Sequence, residues 1–302
     1  MDWKLTLAGL LIGLLVGMTG MGGGSLLTPM LVLFFGFKPT MAIGTDILHG
    51  AIFKSLGAAR HRYFGHVHAR LAMWMLLGSA PASLGGVALS AWLEREYGES
   101  WEDTVQTILG VALIVSGIGF MLKTFLHSRP SDRPFRLTNS DRASAFLVGL
   151  FGGFVVGLTS VGSGTFFGLA MLLLYPLTAA KIVGTDIFQA ALLLWVAGAG
   201  QLAAGNVDLH AMGWLLLGSI PGVLIGTQIT VKLPERALRA ALALTLGLAG
   251  LKMIDPPGAN GVIIAVFALA GAVGATLGVR SLQRRPDASR QGPPAEAPAD
   301  RA

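Results

Sequence analysis

The chain has 302 residues, of which 53% are hydrophobic and 13% charged, and its mean hydropathy is +0.67. Soluble domains carry about 25% charged residues, so this composition excludes an ordinary soluble domain and puts most of the chain in a bilayer. The net charge of +6 does not signal nucleic acid, because the basic residues sit in short loops and the tail, as the positive-inside rule produces. With no cysteine, disulfides and thiolate metal sites are excluded as well.

In chain order, the first apolar region, 4–36, is too long for one span and is interrupted by Thr19-Gly20-Met21-Gly22-Gly23-Gly24-Ser25. Full-length candidate spans follow at about 40–58, 71–93 and 104–125. A polar, Pro-containing linker, 126–143, precedes a second over-long region, 144–176, which is interrupted around Thr159–Thr165. Further spans are expected near 180–203, 211–231, 237–253 and 260–279, and the tail 284–302 has the composition of a disordered segment. The pieces after the two interruptions, 25–36 and 165–176, are some 12 residues long, or about 18 Å as helix. That is short against about 30 Å of hydrocarbon, so they read as short tilted helices or return arms of re-entrant hairpins.

The chain repeats itself. Val16-Gly17-Met18-Thr19 returns as Val156-Gly157-Leu158-Thr159, Gly44-Thr45-Asp46-Ile47 as Gly184-Thr185-Asp186-Ile187, and Gly78-Ser79-Ala80-Pro81 as Gly218-Ser219-Ile220-Pro221. All three pairs share an offset of 140 positions. This twin rules out reading Leu5–Met18 as a signal peptide. Equivalent loops carry opposite charge bias. The 59–70 loop holds Arg60, Arg62 and Arg70, whereas 199–210 has no Lys or Arg; 94–103 is acidic, whereas its counterpart near 232–239 is basic. The sequence therefore predicts an all-α, polytopic integral membrane protein of two inverted-topology repeats, 1–125 and 144–253, joined by a cytoplasmic linker and followed by one additional helix, 260–279. The C-terminus is expected in the cytoplasm.

Two sets of residues can carry chemistry. The first is the pair of glycine clusters. Unwound backbone in a membrane is tolerated only where it lines a cavity or is buried in protein, and the short helices that follow bring free N–H groups toward the midplane. Thr19, Gly22, Gly23, Gly24 and Ser25, with Thr159, Gly162, Ser163, Gly164 and Thr165, are the candidate binding residues for a small anion. The blander reading is that the glycines only permit close helix packing. The second set is Asp46 and Asp186, each inside an apolar span. A carboxylate there costs about 2.5–3.5 kcal/mol on insertion scales and is functional by default. One helical turn on stand His49 and Gln189, so Asp46, His49, Asp186 and Gln189 are proton-coupling candidates. The alternative is that each Asp caps a broken helix or accepts hydrogen bonds from a facing N–H group. Lys54 reads as snorkelling to the interface, with anion binding as the alternative. His61, His66 and His68 fit no standard zinc spacing and read as part of a basic loop. Trp74 and Trp214 read as packing or interface anchors, and Pro81 and Pro221 as helix kinks.

The ordered set of Gly-x-Thr-x-x-Gly-x-Gly-Ser/Thr, Gly-Thr-Asp and Gly-Ser-x-Pro, present twice within about residues 5–279, resembles the sulfite exporter TauE/SafE family. The resemblance implies a secondary transporter in the bacterial cytoplasmic membrane that moves sulfur-containing anions such as sulfite, thiosulfate or organosulfonates. The second cluster departs from the glycine pattern at Ser160 and Ser163, which allows an asymmetric site. The expectation is a non-enzyme without cofactor or metal, whose partners are a small anion and the lipid bilayer. A passive anion channel, or a cation transporter built on Asp46, Asp186 and His49, remain the rivals, and the oligomeric state is left open.

Overall fold

The structure is a computed structural model that describes residues 2–19, 24–126, 135, 137–229 and 235–266, without the side chains of 2, 19, 24, 25, 124 and 227–239. Gly22 and Gly23, the side chains of Thr19, Gly24 and Ser25, the expected span 260–279 beyond 266 and the tail 284–302 lie outside the described residues.

The described residues form helices and no strands. The first half contains α1 (Asp2–Thr19), α2 (Gly24–Phe35), α3 (Pro39–Tyr63), α4 (Ala69–Tyr97) and α5 (Glu99–Phe125). The second contains α6 (Asn139–Thr159), α7 (Phe166–Leu174), α8 (Ala179–Ala204), α9 (Leu209–Ile229) and α10 (Glu235–Ile254). Residues 259–266 are helical and belong to a separate unit, Pro257–Ala302. Among the described residues α4, α5, α6, α8 and α9 are long and apolar enough to cross a membrane. α3 has the length, 25 residues, but carries Asp46, Lys54, Arg60 and Arg62.

Local chemistry sets the helix ends. Thr138 and Asp141 close a capping box, so α6 starts inside the segment read as linker. Thr178 caps α8 through the Lys181 amide, and Gly205, at φ 82°, terminates it in the left-handed conformation. Pro39 opens α3 at its first turn, where a missing N–H costs nothing. Pro81 and Pro221 lie inside α4 and α9.

The halves exchange helices. α1 packs on α9 and α6 on α4, so the first helix of each half lies against the fourth of the other. The contacts match residue for residue under the 140 offset. Gly13 meets the Ser219 carbonyl and Gly153 the Ser79 carbonyl so closely that a Cβ at either glycine would collide with backbone. The Asp208 amide donates to Thr45 Oγ1 at 3.0 Å, and the His68 amide to Thr185 Oγ1 at 2.9 Å. At the centre α3 packs on its own equivalent, α8. Leu48 faces Gly198, Gly50 faces Leu194 and Gly57 faces Ile187, so the two run antiparallel. α5 and α10 are also equivalent and antiparallel, with Gly110 against Gly250 and Gly117 against Ala243. These two pairs of equivalent helices thus point in opposite directions. Large apolar side chains such as Leu11, Phe151 and Leu217 are exposed on the outer surface, as lipid contact requires.

Candidate functional site

The site is built around the break between α6 and α7. α6 ends at Thr159, whose hydroxyl donates to the Val155 carbonyl at 2.7 Å and accepts the Val161 amide at 3.2 Å. Ser160 turns left-handed at φ 61° and Gly162 sits at φ 104°, a conformation that favours glycine. α7 then begins as the Phe166 amide bonds back to the Gly162 carbonyl at 3.0 Å. Ser160, Ser163 and Thr165 are all buried. Buried irregular backbone needs partners, and here they come from side chains of the opposite half.

Lys54, from the middle of α3, donates to Ser163 Oγ at 2.7 Å and to the Ser163 carbonyl at 3.1 Å. It is only 3% exposed. The snorkelling expectation is therefore wrong: the opposite helix pair offers an internal acceptor, and an ammonium needs one when it turns inward. Lys123 of α5 donates to the Gly164 carbonyl at 3.0 Å. Thr165 does not cap α7; its hydroxyl donates to Ser116 Oγ at 3.3 Å.

Both carboxylates are buried beside this break. Asp46 Oδ2 accepts from Ser160 Oγ at 2.8 Å and from Thr28 Oγ1 of α2. Acceptance from facing groups was the alternative to a proton role, and the donors are hydroxyls rather than amides. Asp186 lies against Gly168 of α7, and its Oδ1 has no hydrogen-bond partner. Lys54 interacts electrostatically with both carboxylates, and Lys123 with Asp186. The two acidic and two basic groups are formally neutral together.

His49 does not bond Asp46. Its Nε2 shares a hydrogen bond with Ser219 Oγ of α9 at 2.9 Å, and its ring stacks on Phe53. Gln189 does the same in the other half, donating to Ser79 Oγ of α4 at 2.9 Å, with Oε1 unpartnered. The Ser of each Gly-Ser-x-Pro motif thus meets the residue one turn beyond each Gly-Thr-Asp.

A cavity of about 360 Å³ reaches this region from the C-terminal end of α3. Arg60 and His61 line it near that end of α3, and Lys54 and Phe53 about two turns back along the helix. A small adjoining void touches Phe53, Lys54, His49 and Asp46. His61 and His66 lie ring to ring at 5.7 Å, while Nδ1 of His68 caps α4. Among the described residues no three His, Asp or Glu side chains cluster to hold a metal. Trp214 donates to His210, and Arg142 lies over Trp74 at the surface.

The structure joins Asp46, Asp186, Ser163, Gly164 and Thr165 around one centre. It sets His49 and Gln189 one turn away, on different partners. Sequence reasoning missed Thr28, Ser116 and Lys123. For Lys123 a signal existed: it is the only cation in the span read at 104–125. The hydroxyls of Thr28 and Ser116 carry no such mark, since both are ordinary in membrane helices.

Residues 5–253 match the family model described as "Sulfite exporter TauE/SafE". The chain is 37% identical to "Probable membrane transporter protein YjnA" of Bacillus subtilis (strain 168), over 84% of this chain and 100% of that protein. It is 25% identical to "Probable membrane transporter protein YdhB" of the same organism, over 81% of this chain and 96% of that protein. An archaeal relative, "Probable membrane transporter protein MJ0441" of Methanocaldococcus jannaschii, is 24% identical over 83% of this chain and 94% of its own length. No solved structure gives a significant match. Full-length likeness to transporters and a polytopic helical architecture agree with the family match: the chain belongs to the sulfite exporter TauE/SafE family of membrane transporters.

Proposed function

We propose that this transporter moves a small anion of the sulfite, thiosulfate or organosulfonate class across the cytoplasmic membrane by alternating access, in step with a proton. The observation that carries the reading is Lys54. It is a buried ammonium that lines a cavity and is bonded to a serine of the helix break rather than to a carboxylate. An anion arriving through the cavity offers Lys54 a charged acceptor in place of a neutral one, and charge-assisted hydrogen bonds are roughly twice as strong. Ser163, Gly164 and Thr165 then supply neutral donors and a shaped surface, and Lys123 a second positive group. In the first half Thr19 and Gly22–Ser25 are assigned the matching role by the repeat.

Proton coupling follows from charge balance. Two carboxylates and two ammonium groups sum to zero, so a lone monovalent anion adds one uncompensated charge to a buried site, which is expensive. A proton taken up by Asp46 or Asp186 restores neutrality. The sulfur part of the reading rests on the family's description; the anion part rests on the lysines. With 1–125 and 144–253 read as the repeats and the linker 126–143 and the C-terminus read as cytoplasmic, the Arg60 end of the cavity faces the cytoplasm. His49 and Gln189 are assigned to the joints between helices rather than to the proton path.

The test is thermal stabilisation of the purified protein by sulfite, thiosulfate, sulfoacetate, sulfate, chloride, phosphate and divalent metals. A ligand that binds only the folded state, at 100 times its dissociation constant, stabilises by about 2.7 kcal/mol. Stabilisation by one sulfur anion, lost in Lys54→Met, supports the reading. Stabilisation by metals alone, lost in Asp46→Asn, replaces it with the cation transporter.

A further inference from the structure

The two repeat-related carboxylates hold the same position in their halves but not the same surroundings. Asp46 accepts from the hydroxyls of Thr28 and Ser160. The residues 140 positions from these donors are Gly168 and Gly20, so neither donor has a counterpart beside Asp186. Oδ1 of Asp186 is unpartnered although the residue is 6% exposed. A Cβ placed on Gly168 would lie 2.9 Å from Asp186 Oδ2 and would collide with Lys123 Nζ. The Lys123 ammonium therefore stands where the Thr28 side chain stands in the other half.

The geometry points to a division of labour: Asp186 takes up and releases the proton of the transport cycle, with Lys123 as its movable counter-charge, and Asp46 is a fixed acceptor that ties the helix break to α2 and α3. This rests on the proton-coupled reading above, and its test does not need the substrate. The proton adds at Oδ1, the oxygen that no donor occupies, and leaves from it to water on the other side. At Asp46 a proton would weaken the two hydroxyl hydrogen bonds that Oδ2 accepts. Once Asp186 is neutral, Lys123 no longer faces a charge and its ammonium can turn to the transported anion, close to the Gly164 carbonyl it already holds. The ionisable groups that face Asp186 are Lys123 from α5 and Lys54 from α3. α7 has none, and α4 brings the Ser79 hydroxyl, one turn away at Gln189.

The experiment is pH-difference infrared spectroscopy of the purified full chain in lipid, without substrate, reading the carbonyl stretch of a protonated, buried carboxyl group. The wild type should show one such band that disappears as pH rises. Asp186→Asn should abolish it and Asp46→Asn should leave it in place. Asp186→Asn can fail by misfolding, so Lys123→Met is the second variant. It keeps Asp186 and removes its counter-charge, and should raise the pH midpoint of the band by about one unit or more. A band lost in Asp46→Asn instead, a band unchanged in Lys123→Met, or no titrating band in the wild type overturns the assignment. A titrating Asp186 in a protein that no sulfur anion stabilises retires the substrate reading and leaves the proton site standing.

Discussion

Lys54 crosses from the first half to the second and holds Ser163 by both its hydroxyl, at 2.7 Å, and its carbonyl, at 3.1 Å. The equivalent position in the second half is Leu194, so the crossing is made once and the pseudo-symmetric site is electrically lopsided. The lysine also lies within electrostatic range of both buried carboxylates.

Removing Lys54 should therefore do two things. Lys54→Met should abolish stabilisation by the anion, and it should also lower stability without anion, because breaking a buried charge network from one side costs about 3–5 kcal/mol. The double variant Lys54→Met/Asp46→Asn should recover part of that loss, since it removes a charge that the single variant strands. Melting temperatures of the wild type, Lys54→Met, Asp46→Asn and the double variant, with and without thiosulfate, make the comparison. A single variant as stable as the wild type would mean that Lys54 does not compensate the carboxylates.

Ser160 combines a left-handed backbone with a hydroxyl on Asp46, and two substitutions separate them. Ser160→Ala removes the hydroxyl and keeps the Cβ, which should cost about 1.5–3 kcal/mol for a hydrogen bond to a charged group. Ser160→Gly removes the hydroxyl and also relieves a left-handed residue of its Cβ, worth about 1–2 kcal/mol. The glycine variant should therefore unfold at the higher temperature of the two. The reverse order would show that the hydroxyl bond is not what holds this position.

The crossings of α1 with α9 and of α4 with α6 should respond alike to crowding. Gly13→Ala and Gly153→Ala each push a Cβ into a backbone carbonyl on the partner helix, and overpacking typically costs about 1–3 kcal/mol. Gly85→Ala on α4 meets nothing within 4 Å and should be neutral or stabilising, because Ala is the better helix former. Thermal unfolding of the three variants checks this. A tolerated Gly153→Ala beside a damaging Gly13→Ala would break the equivalence of the two crossings.

The repeat was legible because it is written in residues with few substitutes. Gly44 and Gly184 must lack a Cβ, which would collide with the Asn206 and His66 carbonyls, and Asp46 and Asp186 are conspicuous in apolar surroundings. The all-α polytopic architecture followed from hydropathy alone. What the sequence hid was side-chain direction. His49 lies one turn from Asp46 on the same helix, and spacing alone suggested a pair; the ring turns instead to Ser219, a residue 170 positions away. Lys54 hid its role in the same way, because snorkelling and inward pairing put the same residue at the same helical position. Only the packing of α3 against the second half distinguishes them.

Charge balance at the centre fixes the electrical character of transport. If one proton accompanies each monovalent anion, the cycle moves no net charge. Flux into proteoliposomes should then follow an imposed pH gradient and ignore an imposed membrane potential. A channel or uniporter carrying the same anion alone would feel the potential at about 2.3 kcal/mol per 100 mV for each charge. Initial rates of uptake of labelled sulfite in mildly acidic buffer, where it is the monovalent hydrogensulfite, separate the two cases when measured first at potentials set by potassium and valinomycin with equal pH on both sides, and then at zero potential with the outside made more acidic. A rate unchanged by potential but raised by acid outside the vesicle places a proton with the anion. A rate that tracks the potential leaves Asp186 without a role in charge compensation and makes Lys54 the entry point of a conducting path.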